Sequence, residues 1–171
     1  MQKAELNLGA SSESPVVMGL FAAITPCQDA ALNTTTSTAA TTAEPAVTAA
    51  TLAAFSDAWN RHDLSALMSF MHTDCVFETA GGAEAWGTRY QGHAAVEAAF
   101  ASAWKSFPDA QWRDGKHTVM GDRGMSEWTF TGTAADGTRS ESNGVDVFTF
   151  KDGKILVKNV FRKARPALPP L

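Results

Sequence analysis

One acidic residue lies on what otherwise reads as the apolar face of a β-strand. Residues 144–150 alternate as a strand does, so Asp146 shares a face with Phe148 and Phe150. Apolar surroundings raise the pKa of a carboxyl group, which can then donate a hydrogen bond to a substrate carbonyl or exchange a proton with the substrate. Asp146 is therefore the first candidate for acid/base catalysis.

The turn that follows this strand predicts a polar neighbour for Asp146. Asp152 and Gly153 form an Asp-Gly pair, which is a strong signal for a two-residue hairpin. If this pair centres the last hairpin, Phe148 lies opposite Val157 and Asp146 lies opposite Asn159. We expect Asn159 to orient the carboxyl group of Asp146.

A second Asp-Gly pair, at Asp136 and Gly137, places another acid beside the first. The same counting puts Met125 opposite Phe148 and Glu127 opposite Asp146. Directly opposed carboxylates have Cβ atoms about 4.5–5.5 Å apart and repel unless one is protonated, an arrangement that suits one acid and one base. The pattern alone leaves an alternative open, in which either acid faces solvent or makes only structural hydrogen bonds.

His117 is a further candidate proton carrier, because one of two possible registers places it opposite Glu127 and the other places Thr118 there. Metal and covalent chemistry are disfavoured, since no two of the four histidines have metal-ligand spacing and no nucleophile motif is present. We therefore expect no metal and no cofactor. The side chains expected to contact a substrate are mostly apolar: Asn159, Trp59, Phe55, Met125, Phe148 and Trp86.

The elements that must position these residues begin after a low-complexity leader. Residues 1–45 include a Thr/Ala-rich segment that cannot bury enough apolar area to fold, residues 46–165 form the expected domain, and residues 166–171 form a Pro-rich tail. Apolar spacing predicts a helix, a corner and a second helix over residues 51–71, a short strand near residue 75, and a third helix after Gly92. Four alternating segments follow, joined by short turns. This order predicts an α+β fold, with three helices packed on a strongly curved, mostly antiparallel sheet.

Composition narrows the class of partner. The chain has 171 residues, a formal net charge of -4 and no block of basic residues, which argues against nucleic acid or an anionic membrane as a partner. Cys27 and Cys75 form no disulfide framework, and the apolar run 15–24 is too short to span a bilayer. We expect a cytoplasmic protein that binds a small apolar or weakly polar molecule.

Four segments resemble the SnoaL-like group of the nuclear transport factor 2 and ketosteroid isomerase superfamily. They are FSDAWNRHDLSAL, TDCVFE, YQGHAAVEAAF and GVDVFTFKDGKI, and together they cover about residues 48–165. The resemblance implies a cone-shaped α+β barrel with a hydrophobic pocket open at one end. In this family the fold hosts isomerases, polyketide cyclases, dehydratases and non-enzymatic binders.

The resemblance assigns a role to Asp146, which matches the strand aspartate that holds the developing oxyanion in ketosteroid isomerases. Phe55 stands where those isomerases have a tyrosine, and Thr79 stands near their general base, so the resemblance does not extend to the whole steroid-isomerising set. The sequence therefore predicts carboxylate acid/base catalysis of isomerase, cyclase or dehydratase type on an apolar carbonyl compound. The alternative is a non-catalytic ligand-binding or dimerisation module. By family analogy we expect a homodimer through the outer sheet face, at Val145, Val147 and Val160.

Overall fold

A computed structural model of the protein describes residues 46–169, and the leader, Cys27 and the last two residues of the tail lie outside this range. The described chain contains three helices and six strands. In chain order they are α1 (Ala49–Asn60), α2 (Leu64–Phe70), β1 (Met71–Glu78), β2 (Arg89–Gln91), α3 (His93–Ser106), β3 (Gln111–Met120), β4 (Arg123–Thr133), β5 (Arg139–Lys151) and β6 (Lys154–Arg162).

The helix boundaries follow from local capping chemistry. Thr48 and Thr51 form a reciprocal capping box that satisfies the first backbone N–H groups of α1. Asp63 accepts a hydrogen bond of 2.9 Å from the Ala66 N–H and so begins α2 after the corner. Gly92, at φ +81°, precedes α3 in a backbone conformation that other residues rarely adopt.

The six strands form one open sheet in the order β2-β1-β6-β5-β4-β3. All neighbouring strands are antiparallel except β1 and β6, which run parallel. The expected α+β cone with three helices on a mostly antiparallel sheet is confirmed, and the sheet does not close on itself because β2 and β3 remain its two edges.

The core lies between the helices and the inner face of the sheet. Trp59 and Phe55 of α1 make edge contacts with Phe100 of α3, and Phe55 also contacts Phe148 of β5 at a ring-centroid distance of 6.0 Å. Fully buried apolar side chains fill the space around them and provide most of the stabilisation. The largest are Phe100, Phe148, Leu52, Leu67, Ile155, Val96 and Cys75.

One inner-face position of the sheet is left without a side chain for a steric reason. Gly144 of β5 pairs with Trp128 of β4, and a Cβ atom at Gly144 would lie 2.2 Å from the Trp128 ring. The glycine therefore allows the indole to lie flat against the sheet. Trp128 in turn forms part of the cavity wall described below.

Candidate active site

A row of polar side chains crosses the inner face of the sheet. Ser126 of β4 lies between His117 of β3 and Asp146 of β5 in the strand register. The Nδ1 atom of His117 and the Oγ atom of Ser126 share a hydrogen bond of 2.8 Å. Ser126 and Asp146 are both buried, so the row belongs to the interior of the cone and not to its rim.

The carboxylate of Asp146 forms an ion pair with Lys158 of β6. The Lys158 Nζ atom donates a hydrogen bond of 2.8 Å to Asp146 Oδ1, and the two residues are 5% and 6% exposed. Burial of an unpaired charge is costly in free energy, so each of the two charges lowers the cost of burying the other. The negative charge of Asp146 on the apolar face is therefore compensated by the positive charge of Lys158.

Aromatic rings surround the ammonium group of Lys158. Its Nζ atom lies 5.2 Å from the ring centroid of Phe77 and 5.7 Å from that of Trp59. The faces of aromatic rings attract cations, and this attraction strengthens where water is excluded. The Lys158 ammonium group thus lies between one carboxylate and two π-faces.

The predicted pairing of Glu127 with Asp146 is wrong. The hairpin between β4 and β5 has a three-residue loop, in which Ala134 pairs with Thr138 and Gly137 takes φ +83°. This is the three-residue hairpin geometry, a turn followed by a left-handed glycine, and it shifts the register by one residue from a two-residue loop. Glu127 consequently lies opposite Val145 on the exposed outer face.

The predicted pairing of Asn159 with Asp146 is also wrong. Asp152 and Gly153 do form the two-residue turn, with φ of +49° and +68°, and Phe150 does lie opposite Ile155. Beyond that pair the register shifts, because Leu156 is an extra residue in β6. This β-bulge moves Asn159 opposite Val147 and Val160 opposite Asp146.

The two shifts change the face of several other residues. Met125 and Val157, expected beside Phe148, now pair with Val147 and Thr149 on the outer face. Val160, expected on the outer face, instead lines the inner cavity. A one-residue shift reverses the direction of every later side chain, because side chains in a strand alternate with period two.

Both registers expected for His117 are wrong by at least one residue. The turn at Gly121 and Asp122 pairs Met120 with Arg123, so Lys116 lies opposite Glu127 and His117 faces inward. Burial lowers the pKa of His117, while the negative charges of Asp57 and Asp146 partly oppose this effect. His117 therefore favours its neutral form, in which one ring nitrogen can donate and the other can accept.

An open cavity of about 310 Å³ lies between α3 and the inner face of the sheet. Lys158 lines its inner end, and most of the remaining wall is aromatic or small. The lining residues are Trp59, Phe77, Thr79, Ala80, Gly81, Ser102, Ala103, Ser106, Phe107, Trp112, Trp128, Phe130, Lys158, Val160 and Arg162. No carboxylate is among these described lining residues.

Asp146 lies behind this cavity, on a second space of only about 20 Å³. Ser126 and Phe55 line the small space, while Lys158 and the indole rings of Trp59 and Trp128 line both spaces. A molecule in the large cavity would therefore meet Lys158 directly, and it would meet Asp146 only where the indole rings let the two spaces join.

Two indole N–H groups in this wall have no hydrogen-bond partner among residues 46–169. They belong to Trp59 and Trp128, each 6% exposed. Buried N–H groups normally donate a hydrogen bond to an acceptor, so these two are exceptions. Both indole nitrogens are fully buried and are not open to a ligand in the cavity. The Lys158 ammonium is therefore the donor at the inner end that suits an acceptor such as a carbonyl oxygen.

The other residues predicted to contact a substrate do not share one cavity. Trp59 lines the large cavity, and Phe55 reaches only the small one. Phe148 is fully buried in the core, and Met125 is on the outer face. Trp86 is 45% exposed and carries the Arg89 guanidinium over its ring, outside both cavities.

Sequence reasoning left open whether Lys158 faces the pocket, and it missed Ser126. Charge balance could have found Lys158, because a carboxylate on an apolar face needs a cation and Lys158 is the first basic residue of β6 that can share that face. Requiring such a pair would have selected the bulged register over the regular one. No comparable signal existed for Ser126, whose identity is ordinary for a strand.

Within residues 46–169, no three His, Cys, Asp or Glu side chains converge so that they could hold a metal ion. Nor does any helix there have the length and apolar character that crossing a bilayer requires.

Comparisons with known proteins agree on the fold. Residues 52–157 match the model of the SnoaL-like domain family. A proposed polyketide cyclase from Xanthomonas campestris superposes with a TM-score of 0.57 at 24% identity, over 64% of this chain and 85% of that one. A proposed isomerase from Bacillus subtilis gives 0.56 at 16% identity, over 66% and 83%. An NTF2-like protein of unknown function from Mesorhizobium loti gives 0.56 at 26% identity, over 66% and 88%. No curated protein matches the sequence.

Proposed function

The chain belongs to the SnoaL-like domain family, and from that premise we propose that it is a small-molecule enzyme that enolises an apolar carbonyl compound. The observation that carries the proposal is the Asp146–Lys158 ion pair at the inner end of an aromatic cavity. Neighbours of the same fold are described as a proposed polyketide cyclase and a proposed isomerase, and enolisation is a step that enzymes of either kind can use.

Lys158 is the proposed electrophile. A carbonyl oxygen at the inner end of the cavity would accept a hydrogen bond from the ammonium group. The buried indole N–H groups of Trp59 and Trp128 would add to it only once the indole wall opens. Negative charge grows on that oxygen when a proton leaves the adjacent carbon. Donors that are already oriented in a site without bulk water stabilise this charge strongly.

Asp146 is the proposed base. Its Oδ1 atom binds Lys158, and no described residue hydrogen-bonds its Oδ2 atom. Oδ2 would take the proton from the carbon adjacent to the carbonyl, and the electron pair of that C–H bond would form the enolate. An isomerase returns the proton to another carbon, whereas a cyclase uses the enolate carbon to form a new bond. This step requires the indole wall between the two spaces to open.

Proton exchange tests the proposal without knowledge of the natural substrate. 2-Tetralone is a flat apolar ketone, and loss of its α-protons in deuterated buffer can be followed by ¹H NMR. We expect the wild-type protein to accelerate the exchange, and Asp146→Asn to lose about a hundredfold of that acceleration, as is typical when a general base is removed. Lys158→Met should lose it as well, and Glu127→Gln, on the outer face, should not.

A second candidate function rests on a specific observation. Because the described residues that line the large cavity include no carboxylate, the same site could bind an apolar carbonyl compound without acting on it. Binding of 2-tetralone by the folded wild-type protein without any accelerated exchange would favour this binding module and would reject the enzyme.

Self-association through the outer sheet face is a separate proposal. Phe161 is 54% exposed there and Met125 is 36% exposed, with Val145 and Val147 between them in the register. Val160 does not contribute, since it lines the cavity. We expect a dimer in sedimentation at micromolar concentration, and Phe161→Glu should shift it to a monomer. A wild-type monomer would contradict the proposal.

A further inference from the structure

Strand β6 forms one side of the large cavity from its inner end to its rim. Lys158, Val160 and Arg162 all line the cavity, as alternate residues on one face of a strand must. At about 3.3 Å per residue, Lys158 and Arg162 are roughly 13 Å apart along the strand. The strand thus spaces two cationic groups along the length of the cavity.

The two cations differ in their charge balance. Lys158 is neutralised by Asp146. Arg162 makes no ion pair and no side-chain hydrogen bond with any residue in the described range, and its guanidinium lies 5.5 Å from the Phe130 ring centroid. The inner end of the cavity is therefore electrically balanced, whereas Arg162 at its rim has no ion-pair partner among residues 46–169, although Asp114 and Glu127 line a separate hollow with it.

The rim is more basic than Arg162 alone would make it. Arg162 also lines a neighbouring hollow together with Lys163 and Arg165. Counting only partners within residues 46–169, Arg165 is the one cation of that hollow in an ion pair, with Glu141. Guanidinium groups recognise carboxylates and phosphates through two parallel hydrogen bonds. Between its two cations the cavity wall is largely apolar, since Trp112, Phe107 and Phe130 also line it.

We propose that the ligand of this cavity is an elongated molecule with a neutral carbonyl at one end and an anionic group, a carboxylate or a phosphate, at the other. The carbonyl binds at Lys158, the apolar middle packs against the aromatic wall, and the anion binds Arg162 at the rim. This inference rests on the proposed function for the carbonyl end, and it adds the charge, the length and the recognition residue of the other end.

A series of phenyl ketones tests the inference. 10-Oxo-10-phenyldecanoate carries its carboxylate far enough from the ketone to reach Arg162, whereas 4-oxo-4-phenylbutanoate is too short. The methyl ester of each acid is the uncharged control, and 10-oxo-10-phenyldecyl phosphate distinguishes a phosphate site from a carboxylate site. Binding is read by quenching of tryptophan fluorescence, since Trp59, Trp112 and Trp128 line the cavity.

The expected result is a charge preference that depends on length and on Arg162. In the wild-type protein the long acid or the long phosphate should bind about five- to tenfold more tightly than the long ester, as a charge-assisted contact gives, and the short acid should show no preference. Arg162→Gln should remove the preference. Lys163→Gln removes the same charge from a side chain outside the cavity, and it should keep the preference.

The outcomes separate this inference from the proposed function. Equal affinity of the wild-type protein for the long acid, phosphate and ester overturns the anionic end but leaves the carbonyl site standing. A preference that Lys163→Gln reduces as much as Arg162→Gln also overturns it, because the effect would then be general surface charge. Failure of every ketone to bind overturns both. Lys158→Met should weaken the long ester and so reports on the carbonyl end alone.

Discussion

The two faces of the central strands carry similar residues under different physical conditions. On the inner face, Asp146 is 6% exposed and is bound to Lys158 at 2.8 Å. On the outer face of the same sheet, Glu127 is exposed, and although Lys116 lies opposite it, no ion pair joins them. Water solvates the outer acid, whereas only another protein group can compensate the inner one.

The comparison shows that the face, and not the residue type, decides what an acid does in this sheet. Glu127 and Asp146 are on adjacent strands and miss each other by one step of register. That single step separates an ordinary surface carboxylate from a buried one that is held beside an aromatic cavity. Substitutions on the two faces should therefore differ strongly in effect.

Loss of the inner carboxylate charge should have the largest effect. Asp146→Asn leaves the Lys158 ammonium buried and uncompensated, so we expect the free energy of unfolding to fall by about 3–5 kcal/mol. Glu127→Gln, the matched change on the outer face, should alter it by less than about 0.5 kcal/mol. Urea denaturation of the three proteins measures the difference, and equal losses for the two variants would remove the distinction between the faces.

A double substitution tests whether the two buried charges depend on each other. Asp146→Asn with Lys158→Met removes both buried charges, so no uncompensated ion remains, and a buried pair is often neutral to replace as a unit. We expect the double variant to be more stable than either single variant. Losses that simply add would indicate that the two side chains are not coupled.

Crowding of the inner face should have the next largest effect. Gly144→Ala would place a methyl group 2.2 Å from the Trp128 ring and 2.7 Å from the Phe161 carbonyl oxygen, and overpacking of this kind costs about 1–3 kcal/mol. Gly81→Ala is the control, because nothing lies within 4 Å of its Cβ position. Thermal unfolding should show a lower midpoint for Gly144→Ala only, with an altered near-UV spectrum as Trp128 moves.

A pH dependence of stability should be the smallest effect. Because burial lowers the pKa of His117, the unfolded chain binds more protons than the folded one below about pH 6.5, the ordinary value for histidine. Stability should therefore be full above that pH and should decline as the pH falls toward the lowered pKa of His117. His117→Gln should flatten this part of the profile in urea denaturation between pH 8 and pH 5.5. If the wild-type protein and His117→Gln lost stability equally between pH 8 and pH 5.5, His117 would not be the source of this pH dependence.

Local sequence patterns predicted the elements of this fold, except the three-residue strand β2, but not its register. Helix spacing, the Asp152–Gly153 turn and the long alternating segments predicted the helices, the last hairpin and the α+β class, because these depend on neighbours in the chain. The length of the loop around Gly137 and the extra residue Leu156 depend on how whole strands fit together. Neither had a local signal, and each reverses the face of every residue beyond it.

The bulge at Leu156 also has a consequence for changes in chain length. Since β6 holds one residue more than its partner strand needs there, the sheet has a spare position between the last turn and Lys158. Deletion of one residue from 156–157 could be absorbed by straightening the strand, with Lys158 still opposite Phe148. Insertion of one residue at the same place would instead add a second unpaired residue to a strand that already holds one. Relatives of this chain that differ in length at this point should therefore be shorter by one residue more often than longer.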